Sequence, residues 1–175
     1  MNIQGLKESL QDYAKDIRLN LSTVLSEEGS PGLTLGQLAG IALACSYFTK
    51  HATVVEAVRE EFQSALSSAY LEAAKSAATI MAMNNIYYRF THLSDDKEIS
   101  KMPARLRMNV IGKPGIEKKD FELMCLAVSA LAGCGACINS HAKVVKEAGV
   151  SNEGIQSAVR IAAVINAAAQ ALVIG

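Results

Sequence analysis

The chain has 175 residues, of which half are hydrophobic, and its 17 basic and 17 acidic side chains give a net charge of zero. A zero net charge argues against a nucleic-acid-binding protein, which needs a basic surface, and the apolar content argues against disorder. Alanine is abundant, only 3 prolines occur and tryptophan is absent, a composition that suits closely packed helices and predicts an all-α fold.

Hydrophobic periodicity predicts several helices in the first half of the chain. They cover residues 4–25, 33–48, 51–62 and about 64–83. Asn84 and Asn85, in "MNNIYYRF", predict a break at the end of the fourth helix. The segment 91–116 is the most polar and contains Pro and Gly, so we predict an extended connection there with at most one short helix.

The second half of the chain predicts three further helices. They cover 117–133, the "GCGAC" segment to about 148, and 152–172 with Ser151 as the N-terminal cap. The last apolar run, 161–175, is short for a membrane span and contains polar side chains, which favours a buried helix and no membrane segment. The N-terminus has charges throughout and no apolar signal-peptide core, so the cytoplasm is the expected compartment.

A weak internal repeat suggests two similar helical halves. When residues 71–92 are moved forward by fifty positions, three identities result: Glu72 with Glu122, Ala77 with Ala127, and Ala82 with Ala132. We therefore predict one domain, 1–175, with approximate halves 1–95 and 96–175. Only the second half would then carry cysteine chemistry, because Asn84 and Tyr87 overlay Cys134 and Cys137.

The segment "GCGACINSHAK", 133–143, has the strongest chemical pattern in the chain. On a helix that begins after Gly133, Cys134, Cys137 and His141 lie on one face, with the imidazole one turn beyond the second thiol. A thiol reacts as its thiolate, which the N-terminus of a helix and a nearby imidazole both favour. This spacing favours a redox-active dithiol.

Glu122 is a candidate fourth member of this group. If the chain reverses near Gly133, the two flanking helices run antiparallel, and Glu122 comes level with about residues 141 to 144. A carboxylate there could orient the ring of His141 and hold its proton. The sequence thus allows a relay of Glu122, His141, Cys137 and Cys134, although a Glu on a helix is usually only solvated.

Three other interpretations of the cysteine segment compete with a dithiol. A zinc site normally has four ligands, and this segment offers three unless Cys125 joins from an apolar helix face. Haem attachment needs the His directly after the second Cys, where Ile138 stands. The third is purely structural, with two buried thiols and a surface His. We predict no metal ion and no tightly bound cofactor.

The chain resembles the AhpD-type alkyl hydroperoxidases, lipoyl-dependent peroxidases of the carboxymuconolactone decarboxylase-like superfamily. "KDFELMCLAVSALAGCGACINSHAKVVKEAGV", 119–150, resembles their active-site region, and 13–25, 77–90 and 106–123 resemble other parts of these proteins. The resemblance covers essentially the whole chain and implies an all-helical AhpD-like fold and a homotrimer. Tyr88 and Arg89 also match the family pattern, and we predict packing or interface roles for both. For Arg89 we predict a carboxylate as its partner.

The resemblance assigns a role to each residue of the site. Cys137 is the peroxidatic cysteine, which passes through a sulfenic acid, and Cys134 resolves it to a disulfide and donates a proton. His141 and Glu122 form the proton relay that activates Cys137. Some members have a His directly before the second cysteine, where this chain has Ala136, so its rate or pH optimum is expected to differ.

The resemblance also implies the reaction partners. The substrate would be an organic hydroperoxide, and the electron donor dihydrolipoamide on the lipoyl domain of a 2-oxoacid dehydrogenase complex. The enzyme would in turn reduce the peroxiredoxin AhpC. Two rival functions remain: an electron relay that does not itself react with peroxide, and a decarboxylase of the same superfamily, which would not need both cysteines.

Overall fold

The protein folds into helices and short connections, as shown by a computed structural model that describes residues 1–175 apart from the side chain of Lys97. No strand occurs among these residues, so the predicted all-α class is confirmed. The helices are α1 (Ile3–Ser9), α2 (Lys15–Val24), α3 (Leu35–Thr49), α4 (Ala52–Glu61), α5 (Ser68–Leu93), α6 (Lys97–Lys101), α7 (Asn109–Gly112), α8 (Lys118–Ala132), α9 (Gly135–Glu147) and α10 (Asn152–Ile174).

The core is built on α3, which packs against α5, α8 and α10. Ten consecutive residues of α3, 37–46, are buried, which is why this helix has no polar face. Its start is fixed by a capping box, in which the side chains of Thr34 and Gln37 each bond the other's backbone N–H. Gln37 also donates to Asp120 of α8 over 2.7 Å, so a buried polar contact sets the register of the two helices.

The C-terminal helix α10 is long and apolar enough to cross a bilayer by length and composition alone. In the fold it packs against α2, α3 and α8, and Ile161 and Ile165 are completely buried there. Its N-terminus is capped by Ser151, as predicted. At that end the backbones of Gly32 and Gly154 approach so closely that a Cβ on either residue would lie 2.6 Å from a backbone atom of the other.

The predicted single helix over 4–25 is wrong. The chain forms α1, a 3-10 turn over Asp12–Ala14, and then α2. Leu10 has an extended backbone between them, and its carbonyl oxygen accepts a hydrogen bond from Arg18 over 2.9 Å. The bend lets α1 pack on α4 while α2 packs on α10. The apolar spacing could not reveal it, because both pieces have helical periodicity.

The predicted break at Asn84 and Asn85 is also wrong, because α5 continues to Leu93. Both asparagines are buried, and Asn85 Oδ1 accepts from the hydroxyl of Ser129 on α8 over 2.9 Å. A partner from another helix thus offsets the poor helix propensity of this asparagine. The connection after α5 contains two short helices, α6 and α7, where at most one was predicted.

The two halves begin their long helices in the same register but diverge at the cysteine segment. Helices α5 and α8 start fifty residues apart, as the proposed repeat requires. Gly133 ends α8 in the left-handed conformation, with φ of 69°, whereas Met83 stands at the equivalent point of α5. A methionine adopts that conformation at a cost, which fits the continuation of α5. The division into halves stays a prediction.

Candidate active site

The turn between α8 and α9 places the two cysteines. Gly133 closes α8, and Cys134 is the N-cap of α9, where its Sγ accepts from the backbone N–H of Cys137 over 3.3 Å. Cys134 and Cys137 form a disulfide across a Cα–Cα distance of 5.3 Å. Cys134 is completely buried, whereas Cys137 lines a cavity. Only the second sulfur is therefore placed to meet a molecule in that cavity.

His141 and Glu122 form a buried pair beside the disulfide. The distance from His141 Nδ1 to Glu122 Oε2 is 2.6 Å, and the two residues are 8% and 3% exposed. The predicted proximity of the two side chains is confirmed, because α9 folds back along α8. A carboxylate is an acceptor only, so the ring donates its Nδ1 proton, and Nε2 is left as the nitrogen that can accept another.

The cavity has a volume of about 280 Å³, at the small end of ligand pockets. Its wall comes from α5, α8, α9 and the segment around α7. The lining residues are Asn84, Tyr88, Met108, Ile111, Glu122, Ala136, Cys137, Ser140, His141 and Val144. Most of the lining surface is apolar, with polar groups from five side chains among it, which is typical of a site for a small organic molecule.

Ala136 contributes to this wall at the position where some relatives were expected to have a histidine. Its methyl group adds apolar surface next to Cys137 and no titratable group. The only imidazole that lines the described cavity is therefore that of His141. This leaves His141 as the nitrogen base nearest in sequence to Cys137, one turn away on α9.

Arg89 reaches the same turn from α5. Its Nη1 donates to the carbonyl oxygen of Ala132 over 2.6 Å, at the last residue of α8. The predicted carboxylate partner is therefore wrong, because the guanidinium satisfies a free C-terminal carbonyl of a helix. The contact ties α5 to the residue two positions before Cys134. Tyr88, predicted to pack, lines the cavity and directs its hydroxyl to Met108 Sδ at 3.8 Å.

Cys45 and Cys125 lie in the core and are free thiols. Burial raises the pKa of the Cys45 thiol, and burial followed by the negative charge of Glu122 raises the pKa of Cys125. Both therefore remain protonated and unreactive at neutral pH. Among the described side chains, no group of three His, Cys, Asp or Glu residues is arranged to hold a metal ion, Cys125 included.

Sequence reasoning missed part of the cavity wall. Asn84 was interpreted as a helix break, and Met108 and Ile111 lie in the segment that was interpreted as an extended connection. Two signals were present: an asparagine inside an otherwise apolar helical run, and two apolar residues three positions apart in a polar segment. Neither signal identifies a cavity without the tertiary packing of α5 and α7 around α8 and α9.

Comparison with known proteins agrees with this geometry. The carboxymuconolactone decarboxylase family model matches residues 97–174, which contain both cysteines, His141 and Glu122. Alkyl hydroperoxide reductase AhpD from Coxiella burnetii is 51% identical over 172 residues, which are 98% of this chain and 97% of that protein. The chain belongs to the AhpD family of alkyl hydroperoxide reductases.

Two further AhpD proteins match to a similar extent. The one from Azorhizobium caulinodans is 53% identical over 98% of this chain and 93% of its own length. The one from Rhodopseudomonas palustris is 52% identical over 100% of this chain and 95% of its own length. Coverage of this extent includes the residues that line the cavity.

Proposed function

We propose that this protein is a dithiol peroxidase that reduces organic hydroperoxides and is re-reduced by a dihydrolipoyl group on a carrier protein. One observation carries the proposal: Cys137 opens into a small apolar cavity, with Cys134 bonded behind it and the His141–Glu122 pair beside it. The family's name, alkyl hydroperoxide reductase, agrees with this chemistry.

The catalytic cycle follows from the position of the two sulfurs. In the reduced protein the Cys137 thiolate attacks the terminal oxygen of ROOH, the O–O bond breaks, and RO⁻ takes up a proton and leaves as the alcohol. Cys137 is then a sulfenic acid. The Cys134 thiol attacks its sulfur, water leaves, and the disulfide forms. His141 accepts the thiol proton of Cys137, and Glu122 stabilises the imidazolium.

A dithiol donor reopens the disulfide through a mixed disulfide. The donor thiolate attacks Cys137, the sulfur that faces the cavity, and Cys134 leaves as a thiolate. The backbone N–H of Cys137, which bonds Cys134 Sγ in the oxidised protein, lies ready to stabilise that leaving thiolate. The second donor thiol then displaces Cys137, which releases the oxidised lipoyl group and restores both protein thiols.

The apolar part of the cavity wall supports a proposal for the substrate class. Met108, Ile111 and Val144 offer apolar contacts that an alkyl group can use and that hydrogen peroxide cannot. We therefore propose organic hydroperoxides as the preferred substrates. The lipoyl domain of a 2-oxoacid dehydrogenase complex as donor, and the peroxiredoxin AhpC as a second acceptor, rest on the family resemblance.

One assay tests this function against its main rival. Purified protein, dihydrolipoamide and cumene hydroperoxide are mixed without any peroxiredoxin, and the hydroperoxide and the oxidised lipoamide are measured. We expect both to change in a ratio of about one to one, in proportion to protein concentration. If hydroperoxide persists while the protein still passes electrons from dihydrolipoamide to an added peroxiredoxin, the protein is only a relay and the proposal fails.

We also propose a homotrimer in the cytoplasm, on the family resemblance. The C-terminal half of α5 has an exposed apolar stripe, in which Ile86, Phe90 and Leu93 are 66%, 53% and 70% exposed. Residues at this spacing share one helix face, and an oligomer would cover it. A molar mass in solution near that of a single chain, measured by light scattering, would contradict the oligomer.

A further inference from the structure

Asn84 is a buried polar residue that the proposed cycle does not yet use. It lies in the middle of α5, it is 5% exposed, and it lines the cavity together with Cys137 and His141. Its Oδ1 has no hydrogen-bond partner among the described residues. Buried polar groups are nearly always paired, so an unpaired one at a cavity wall needs an explanation.

The neighbouring Asn85 shows what a structural asparagine looks like in the same turn. Its Oδ1 accepts from Ser129 over 2.9 Å, and it is not part of the cavity wall. Asn84 has no such contact, and asparagine is an unfavourable residue in a helix interior. The contact with Ser129 therefore explains the Oδ1 of Asn85, whose Nδ2 is also unpaired but does not line the cavity, and it leaves Asn84 unexplained. Because Oδ1 can only accept, the NH₂ group of the same amide is the end that can donate to a ligand in the cavity, and it makes no hydrogen bond to the described residues.

The chemistry of the proposed reaction indicates which atom of the ligand would accept a hydrogen bond from Asn84. When the O–O bond breaks, negative charge develops on the leaving oxygen, and a hydrogen-bond donor aimed at that oxygen lowers the barrier. The other polar groups of the cavity are less suited to this task. Ser140 is an exposed residue, and His141 takes up the Cys137 proton in the proposed cycle. Glu122 is an acceptor engaged with His141, and the hydroxyl of Tyr88 is directed to Met108. The Asn84 amide supplies two N–H donors without a charge.

We propose that Asn84 donates a hydrogen bond to the leaving oxygen of the hydroperoxide, and is thus a further catalytic residue of this site. The inference rests on the proposed peroxidase function and deepens it. In the step concerned, the Cys137 sulfur bonds the terminal oxygen and the O–O electron pair goes to the other oxygen. The Asn84 N–H holds that RO⁻ until it is protonated to the alcohol. The amide itself is neither oxidised nor deprotonated.

The test is a single-turnover measurement on Asn84→Leu, a change that keeps a similar volume and removes the donor. Reduced protein is freed of reductant and mixed with tert-butyl hydroperoxide, and the loss of thiols is followed by rapid quenching. We expect the second-order rate constant to fall about tenfold to a hundredfold. Reduction of the disulfide by dihydrolipoamide should stay within about twofold, since no alkoxide leaves in that step.

A second oxidant distinguishes a donor to the leaving oxygen from a structural role. A peracid such as perbenzoic acid releases a carboxylate, which is weakly basic and needs little help from a hydrogen bond. The variant should therefore lose less than about threefold in rate with the peracid. The thermal midpoint of Asn84→Leu should be unchanged or higher, because an unpaired buried amide has been removed. Asn84→Ala is measured alongside it, in case leucine prevents folding.

Asn85→Leu is the matched control. It should lower the thermal midpoint, because Ser129 loses its partner, and leave the rate with both oxidants within about twofold. Equal losses with both oxidants in the Asn84 variants, or no loss with either, would overturn the inference. If the unsubstituted protein consumes neither oxidant, the peroxidase function itself has failed, and that result is distinct from a failure of the role of Asn84.

Discussion

Replacing Cys137 with serine should abolish the consumption of hydroperoxide, whereas Cys134→Ser should leave a single turnover. Cys137 is the sulfur that lines the cavity, and a serine hydroxyl in its place cannot form a sulfenic acid. Cys134 is completely buried, and in the proposed cycle it acts after the O–O bond has broken. Without it, Cys137 should consume about one equivalent of hydroperoxide per chain and stop as the sulfenic acid.

The two variants are compared in the absence of any reductant, by titrating hydroperoxide and by trapping the sulfenic acid with dimedone. Cys45→Ala serves as the control, because Cys45 is a buried free thiol with no part in the proposed cycle. Like the unsubstituted protein, it should consume about one equivalent of hydroperoxide and end as the disulfide, which dimedone does not label. If Cys134→Ser consumes peroxide and Cys137→Ser does so equally, the assignment of the two sulfurs is wrong. Continued turnover by Cys134→Ser under a decarboxylation assay would favour the rival enzyme of the superfamily.

The proximity of the four candidate catalytic residues could be predicted from sequence because their geometry is local or nearly so. Cys134, Cys137 and His141 lie within eight residues, and a helix that starts after Gly133 fixes their common face. Glu122 required one further assumption, a reversal at Gly133. The positive φ of Gly133 and the distance of 2.6 Å between Glu122 Oε2 and His141 Nδ1 confirm the reversal.

The rest of the site depends on contacts between distant segments, which periodicity does not encode. Asn84 has the propensity of a helix breaker, yet tertiary packing keeps α5 intact through that position. Met108 and Ile111 lie in a polar, glycine-containing segment, and only the fold brings them to the cavity that Cys137 lines. The same limit explains the N-terminal error, since the bend at Leu10 depends on which helices α1 and α2 pack against.

The change Glu122→Gln should lower hydroperoxidase activity by roughly a hundredfold to ten-thousandfold, the larger figure being that of the same acid-to-amide change in a Ser-His-Asp triad. The carboxylate accepts the Nδ1 proton of His141, which leaves Nε2 as the base, and it balances the charge of the imidazolium. A glutamine lacks that charge, and its NH₂ can donate to Nδ1 and shift the ring to the wrong tautomer. The fold should survive, because shape and volume are preserved.

The Glu122→Gln change should slow the oxidation of the Cys137 thiol in particular. Formation of the Cys137 thiolate precedes the attack on peroxide, so the rate of thiol oxidation should fall at neutral pH and recover partly at alkaline pH, where the thiol ionises unaided. Glu117→Gln is the matched control: the same substitution on an exposed residue at the start of α8, which should leave the rate unchanged. A Glu122→Gln protein that folds and oxidises as fast as the unsubstituted protein would exclude the carboxylate from the relay, and His141 would then have to act alone.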